Sequence, residues 1–154
     1  TRFAVLAGPP HLVTAADRCA GFVEALRELG LPEPTVVHGP FDRDGGYRAA
    51  TEIGDATCVF AVNDVMAVGA LAAYRERGIR VPDDVSVAGF DDIVTLRDHV
   101  PALTTVRLPL KDMGARALEL ALGKDDDGTA GDDLPSVEHV AGEVVLRESV
   151  RKLT

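Results

Sequence analysis

Clusters of basic residues are missing from this sequence. Its 16 lysines and arginines are outnumbered by 25 aspartates and glutamates, which gives a formal net charge of −9. Because nucleic-acid binding depends on grouped cationic side chains, the chain itself is not expected to contact DNA or RNA. Much of the acidic excess lies between residues 124 and 135, which indicates a solvated loop of low complexity.

Cysteines and long apolar runs are also scarce. The 2 cysteines, Cys19 and Cys58, fall in a predicted helix and a predicted strand without a Cys-x-x-Cys spacing, so we expect buried free thiols in a reducing cytoplasm. No run approaches the ~20 apolar residues of a membrane span and no secretory signal is visible, so we expect no membrane partner. The 4 histidines are scattered without an i, i+4 pair, and we expect neither a metal nor a cofactor.

Short apolar runs that alternate with helical patterns predict an α/β fold with a parallel sheet. Four runs have the length and the flanking residues of buried strands: residues 2–7, 35–38, 58–62 and 85–88. Helical patterns lie between them, at residues 14–29, 45–53 and 64–77. A helix between two such strands makes them parallel, and right-handed crossovers place helices on both faces of the sheet.

The regular alternation of predicted strands and helices ends after residue 92. A polar connector at residues 93–100 is followed by a predicted strand between Pro101 and Pro109, an amphipathic helix at residues 110–122, and strand-like alternation at residues 137–148.

Two of the predicted helices have distinctive features. The helix at residues 14–29 has a capping-box-like start, from Thr14 to Asp17. The helix at residues 64–77 is apolar on more than one face, whereas covering one sheet requires only one apolar stripe. We therefore expect this helix to make a second contact, with another subunit.

Each of the four predicted strands is followed by a polar or aromatic residue that could bind a ligand. In chain order these residues are Arg18, Phe41, Asn63 and Asp91. Because the carboxyl ends of parallel strands meet at one edge of a sheet, we expect the four side chains to face one cleft. An aromatic face, a guanidinium, an amide and a carboxylate suit a small neutral ligand that carries hydroxyls or ring nitrogens.

Each of these residues also has a structural explanation. Asn63 could cap the following helix, Asp91 could be a turn residue, and Phe41 could pack locally in its loop. Arg18 could pair on the surface with Asp17 or Glu24.

Binding fits the residue pattern better than catalysis, so no enzyme activity is expected. No Ser, Cys or Lys is paired with a His base, and the adjacent carboxylates of Asp91 and Asp92 would point in different directions. The glycine motifs that cradle nucleotide phosphates are also missing from the sequence.

Six stretches resemble the effector-binding domain of the LacI/GalR family of bacterial transcription regulators. In order they are Ala7-Gly-Pro9, Asp17-Arg-Cys-Ala-Gly-Phe22, Phe60-Ala-Val-Asn-Asp-Val-Met-Ala-Val-Gly69, Val81-Pro-Asp-Asp-Val-Ser-Val-Ala-Gly-Phe-Asp-Asp92, Pro101-Ala-Leu-Thr-Thr-Val106 and Leu146-Arg-Glu-Ser149. The resemblance implies a type I periplasmic-binding-protein-like fold, mainly its C-terminal lobe. It also implies that Arg18, Asn63 and Asp91 hydrogen-bond the effector, that Phe41 stacks on it, and that Thr14 lies near another contact position.

The resemblance further implies how the chain is organised. Residues 1–100 would form the C-terminal lobe, residues 101–123 would belong to the N-terminal lobe, and residues 136–154 would return to the C-terminal lobe after the acidic loop at residues 124–135. The chain would be a fragment that lacks most of the N-terminal lobe and the helix-turn-helix, through which alone DNA would be bound. The expected partners are a second copy of the chain and a small effector, either a sugar or a purine or nucleoside. The alternative is a periplasmic sugar-binding protein of a transporter, which would share Asn63-Asp64 and Gly89-Phe-Asp91.

Overall fold

A computed structural model describes residues 1–122 and 138–152, so the predicted acidic loop at residues 124–135 lies outside the described residues. The first part of the chain alternates strands and helices: β1 (Phe3–Ala7), α1 (Val13–Glu28), β2 (Thr35–His38), α2 (Arg43–Glu52), β3 (Cys58–Ala61), α3 (Asp64–Glu76) and β4 (Ser86–Ala88). A short 3-10 turn (Val94–Leu96) follows, and then β5 (Thr105–Arg107), α4 (Leu110–Ala121) and β6 (Glu143–Val145). Among the described residues, no helix combines the length and apolar character that a membrane crossing needs.

The first four strands form one parallel sheet in the order β2-β1-β3-β4, which confirms the predicted fold. Strand β1 lies in the middle, where Val5 pairs with Val36 of β2 and with Phe60 of β3. Residues 4–7 are almost completely inaccessible to solvent, as a continuous apolar run in a sheet covered on both faces should be. The carboxyl ends of all four strands therefore lie at the same edge.

Helices cover the sheet from two sides. The β1-α1-β2 connection crosses the sheet in the opposite direction from the next two connections, so right-handed crossovers place α1 on one face and α2 and α3 on the other. Helix α1 contacts the sheet through Phe22, whose ring stacks on Phe60 with centroids 4.9 Å apart. Helices α2 and α3 approach closely at Gly46 and Gly69, where a Cβ on Gly69 would lie 1.9 Å from the Arg43 carbonyl oxygen.

The second apolar face of α3 is covered within the chain. Nine residues of this helix are buried: Asp64, Met66, Ala67, Gly69, Ala70, Leu71, Ala72, Ala73 and Tyr74. Helix α2 packs along the face that the sheet leaves uncovered. The surplus of apolar residues that predicted a contact with another subunit is therefore explained mainly by α2, although Val65 remains 39% exposed.

Three local expectations need correction. The capping box at Thr14 was wrong, because α1 begins at Val13 after Leu12, which has no side-chain capping bond. Helix α2 begins at Arg43 rather than Gly45, because the Asp42 carboxylate accepts a 2.7 Å hydrogen bond from the Gly45 amide and caps the first turn. The two cysteines are free but only half-buried, and burial raises the pKa of both thiols.

Strands β5 and β6 form a separate two-stranded antiparallel ribbon, the β5–β6 ribbon. The residues that lead into β5 contact the main sheet. Thr104 forms a β-bridge with Ala88, and Leu103 lies in the hydrophobic core. Helix α4 has no buried residue, and Leu110 and Leu118 on it are 65% and 61% exposed. The assignment of residues 101–123 to another lobe stays a prediction.

Candidate ligand-binding site

Arg18 and Asp91 meet at the carboxyl edge of the sheet. Arg18 Nη2 lies 3.0 Å from Asp91 Oδ1, and Arg18 Nη1 donates a 2.9 Å hydrogen bond to the Val62 carbonyl oxygen at the end of β3. The guanidinium carbon lies 4.0 Å from the centroid of the Phe90 ring, a cation–π contact. The Arg18 guanidinium therefore pairs with Asp91 instead of with Asp17 or Glu24, and three groups fix its position.

The Asp91 carboxylate reaches this position through an unusual backbone conformation. Asp91 has a φ of 117° and Asp92 a φ of 51°, both in the left-handed region that favours glycine. The turn is held by hydrogen bonds from the Asp91 amide to the Val106 carbonyl oxygen, at 2.9 Å, and from the Asp92 amide to Thr105 Oγ1, at 3.3 Å. Strained residues held in this way are common at ligand sites.

The Asp92 carboxylate points away from Asp91, as predicted, and lies in a cluster of arginines. Its Oδ2 accepts hydrogen bonds from Arg107 Nε at 2.6 Å and from Arg97 Nη2 at 3.3 Å, and its Oδ1 accepts a short bond from Arg147 Nη2. Burial raises the pKa of Asp92, but the hydrogen bonds from Arg147 and Arg107 outweigh it and lower the pKa to about 2. The side chain is only 2% exposed, so Asp92 is a structural anion and not a ligand contact.

A second carboxylate, Asp64, is buried beneath the site. Its Oδ1 accepts a 2.6 Å hydrogen bond from the Thr105 hydroxyl, and its Oδ2 accepts a 2.9 Å bond from the Ile93 amide. Burial raises the pKa of Asp64, and these two hydrogen bonds offset only part of that effect. Gly89 is required beside it, because a Cβ there would lie 2.3 Å from Asp64 Oδ1.

Asn63 caps helix α3. Its Oδ1 accepts a 2.6 Å hydrogen bond from the Met66 amide, and its Nδ2 donates a weaker 3.4 Å bond to the Phe41 carbonyl oxygen. Asn63 is only 3% exposed, so both polar atoms are used within the chain. The capping interpretation is confirmed, and a contact with a ligand stays a prediction.

Phe41 and Thr14 are the two remaining predicted residues. The Phe41 ring packs against Gly8, where a Cβ would come within 2.6 Å of Phe41 Cδ2, so the local packing interpretation is also confirmed. Thr14 is exposed and precedes Arg18 by four residues, which places the two side chains on one face of α1. The structure therefore gathers the predicted residues at one edge, where Arg18 contacts Asp91 and Asn63 contacts the Phe41 backbone.

The sequence-based reasoning missed the Asp92 and Asp64 network. Arg107 and Arg147 are 15 and 55 residues from Asp92 in the chain, and no spacing rule connects them. The prediction that the adjacent carboxylates of Asp91 and Asp92 point in different directions was the one signal for this network, and it did not identify the arginine partners.

A family model described as a periplasmic binding protein-like domain matches residues 1–150. The HTH-type transcriptional repressor PurR of Escherichia fergusonii is 40% identical over 126 residues, which cover 78% of this chain and 37% of that protein. PurR of Klebsiella pneumoniae is 39% identical with the same coverage. The chain thus spans just over a third of the length of the curated relatives it matches.

Solved structures of regulators share the fold. A complex of the transcriptional regulator CelR with cellobiose superposes with a TM-score of 0.86 at 32% identity, over 96% of this chain and 46% of that chain. The lac repressor dimer bound to operator and the anti-inducer ONPF gives a TM-score of 0.81 at 28% identity, over 97% of this chain and 52% of that chain.

Proposed function

We propose that this chain senses a small molecule for a bacterial transcription regulator. The chain belongs to the periplasmic binding protein-like domain family and is an effector-binding domain of the LacI/GalR type. The observation that carries the proposal is the Arg18–Asp91 pair at the carboxyl edge of the parallel sheet. Ligands of open parallel sheets bind beyond this edge. The named relatives are repressors and regulators, which supports control of transcription rather than catalysis.

The chemistry of the pair favours an uncharged ligand. The charges of Arg18 and Asp91 compensate each other, so a charged ligand would bring an unpaired charge into a half-buried site. The Asp91 side chain is 33% exposed and can accept a hydrogen bond from a hydroxyl or a ring N–H. We propose a sugar or a purine or nucleoside, and the cellobiose bound by the similar regulator CelR supports the sugar class.

Three further residues are proposed to contact this ligand. Phe41 would offer an aromatic face, Thr14 a hydroxyl on the exposed side of α1, and Asn63 its amide group. Asn63 is the weakest of the three, because its Oδ1 and Nδ2 are already engaged by Met66 and Phe41.

The exposed apolar side chains of α4 and the β5–β6 ribbon are proposed to pack against an N-terminal lobe. Helix α4 carries Leu110 and Leu118 with no residue buried, which supports a partner for this helix. In this arrangement the ligand binds between two lobes. Because it binds more tightly to one of the two relative orientations of the lobes, it changes the free energy of operator binding by ~1–3 kcal/mol.

In a homodimer, a change in the angle between the lobes would reposition two helix-turn-helix domains. The similar lac repressor is a dimer on its operator, which supports this part of the proposal. A cytoplasmic location stays a prediction. A periplasmic sugar-binding protein is not favoured, because the named relatives are transcription regulators.

A thermal-shift screen tests the ligand class. The full-length regulator that carries this chain is heated with cellobiose, D-ribose, adenosine and hypoxanthine, and we expect at least one compound to raise its Tm. The shift should disappear in Asp91→Ala and persist in the control Asp55→Ala, whose carboxylate is 85% exposed at the other edge of the sheet. A shift that survives Asp91→Ala would contradict the proposed site, and no shift with any of the four compounds would contradict the proposed ligand class.

A further inference from the structure

We propose that Asp92 couples the ligand-facing residue Asp91 to the β5–β6 ribbon, so that the ligand site and the ribbon move as one unit. The inference rests on the proposed function, in which Asp91 contacts the ligand and the ribbon leads towards another lobe. Asp92 is a positioning residue in this scheme, because its own carboxylate is turned away from the cleft and bound by arginines.

The backbone of the site is bonded to the ribbon. The Asp91 amide donates to the Val106 carbonyl oxygen at 2.9 Å, and the Asp92 amide donates to Thr105 Oγ1 at 3.3 Å. Val106 and Thr105 are consecutive residues of β5. A shift of β5 therefore pulls directly on the two peptide units that orient the Asp91 carboxylate.

The side chain of Asp92 is bonded to the end of β5 and to the segment that follows β6. Arg107 ends β5, and Arg147 lies two residues beyond the end of β6. Arg147 also donates a 2.7 Å hydrogen bond to the Leu103 carbonyl oxygen, and its amide donates a 2.9 Å bond to Thr104 Oγ1. The exit from β6 is thus tied both to the entry of β5 and to the Asp92 carboxylate.

Burial makes this connection stiff. Asp92 is 2% exposed, so moving the ribbon away would leave a buried carboxylate with only the 3.3 Å bond from Arg97, which is strongly unfavourable. The alternative is a change in the backbone at residues 91 and 92, whose positive φ angles persist only because the surrounding bonds enforce them. A ribbon displacement therefore has to change either the Asp92 cluster or the orientation of Asp91.

Amide hydrogen exchange on the 154-residue chain tests the coupling without any ligand. Arg147→Met should speed exchange about tenfold at the Asp91 amide and, by a similar factor, in β5 and β6, because both depend on the same cluster. Exchange in β1 and β3 should keep its wild-type rate. Arg147→Lys retains the charge and should restore part of the protection in both regions together.

The matched control is Arg80→Met. Arg80 also forms a two-pronged ion pair, with Asp84 at 2.8 and 3.0 Å, but that pair lies on the surface near the start of β4. This variant should leave exchange at Asp91 and in the ribbon unchanged. If Arg147→Met fails to fold, Asp92→Asn, which keeps the side-chain shape, gives the same readout.

Two results would overturn the coupling. One is faster exchange in the ribbon with an unchanged Asp91 amide, which would make the cluster a support of the ribbon alone. The other is an equal rise throughout β1–β4, which would make it a general contribution to stability. Because no ligand is added, a failure here is distinguishable from a failure of the proposed ligand class, which only the thermal-shift screen addresses.

Discussion

Arg18 Nη2 and Asp91 Oδ1 lie 3.0 Å apart and connect the helix after β1 to the loop after β4. These two strands are not neighbours, because β3 lies between them in the sheet. The Arg18 and Asp91 side chains are 16% and 33% exposed, so the pair is partly desolvated yet open to a ligand. A neutral ligand that contacts both would gain charge-assisted hydrogen bonds without burying a net charge.

Loss of the Asp91 carboxylate should weaken ligand binding. We expect Asp91→Ala to reduce the affinity for the compound found in the screen by ~1.5–3 kcal/mol, because a charge-assisted hydrogen bond is lost. Titration calorimetry on the full-length regulator measures this difference, with Asp55→Ala as the control. An unchanged dissociation constant would remove Asp91 from the site.

Asn63 offers a way to separate capping from ligand binding. Asn63→Ala should lower the free energy of unfolding by ~0.5–2 kcal/mol, because the Met66 amide loses its 2.6 Å acceptor. Asn63→Ser keeps a capping oxygen and should remain within ~0.5 kcal/mol of the wild type. Urea unfolding measures both changes. A loss of ligand affinity in Asn63→Ser at wild-type stability would identify the amide as a ligand contact, whereas an Asn63→Ala variant as stable as wild type would disprove the cap.

Asp92 should make folding stability depend on pH in the acid range. Its pKa of about 2 in the folded chain is below the value of about 3.9 expected in the unfolded chain, so its stabilisation is complete above pH ~4 and is lost as the pH falls towards 2. The difference between these two pKa values corresponds to ~2–3 kcal/mol. In Asp92→Asn, unfolding curves between pH 5 and pH 2 should show a shallower fall in stability. A variant with the full wild-type slope would show that other carboxylates cause it.

Two glycine-to-alanine substitutions should have opposite effects. Gly69→Ala should lower the free energy of unfolding by ~1–3 kcal/mol or more, because its Cβ would lie 1.9 Å from the Arg43 carbonyl oxygen and force α2 and α3 apart. Gly21→Ala is the control, since a Cβ there meets nothing within 4 Å in helix α1. Gly21→Ala should raise stability by ~0.5–1 kcal/mol. Thermal unfolding compares the two, and a Gly69→Ala variant as stable as wild type would rule out the close helix contact.

Removal of the Tyr74 hydroxyl should stabilise the chain. Tyr74 is 2% exposed, and its hydroxyl has no hydrogen-bond partner among residues 1–122 and 138–152, while burial raises its pKa. Tyr74→Phe should therefore increase the free energy of unfolding by ~1 kcal/mol. The control Tyr47→Phe removes an exposed 2.6 Å bond to Glu76 and should change stability by less than ~0.5 kcal/mol. A clear loss of stability in Tyr74→Phe would mean that the hydroxyl is satisfied.

Local sequence patterns were sufficient to predict the helices and strands and the edge of the sheet at which the candidate site lies. Short apolar runs and helical spacing predicted β1 to β4 and α1 to α3 to within a few residues, because burial on both faces of a sheet demands continuous apolar strands. The position of Arg18 and Asp91 followed from parallel topology alone, since strand ends that share one edge bring their following residues together.

Only the tertiary structure decided which groups meet. Asn63 could have been a cap or a ligand contact and Asp92 a turn residue or a cap, and the role that Asp92 takes depends on partners such as Arg147, which is 55 residues away in the chain. The packing of α2 on α3 likewise depended on the close approach at Gly46 and Gly69, which helical spacing does not specify. The physical reason is that a local pattern sets which face a side chain occupies, whereas partners and pKa shifts depend on how burial and nearby charges balance once the chain is packed.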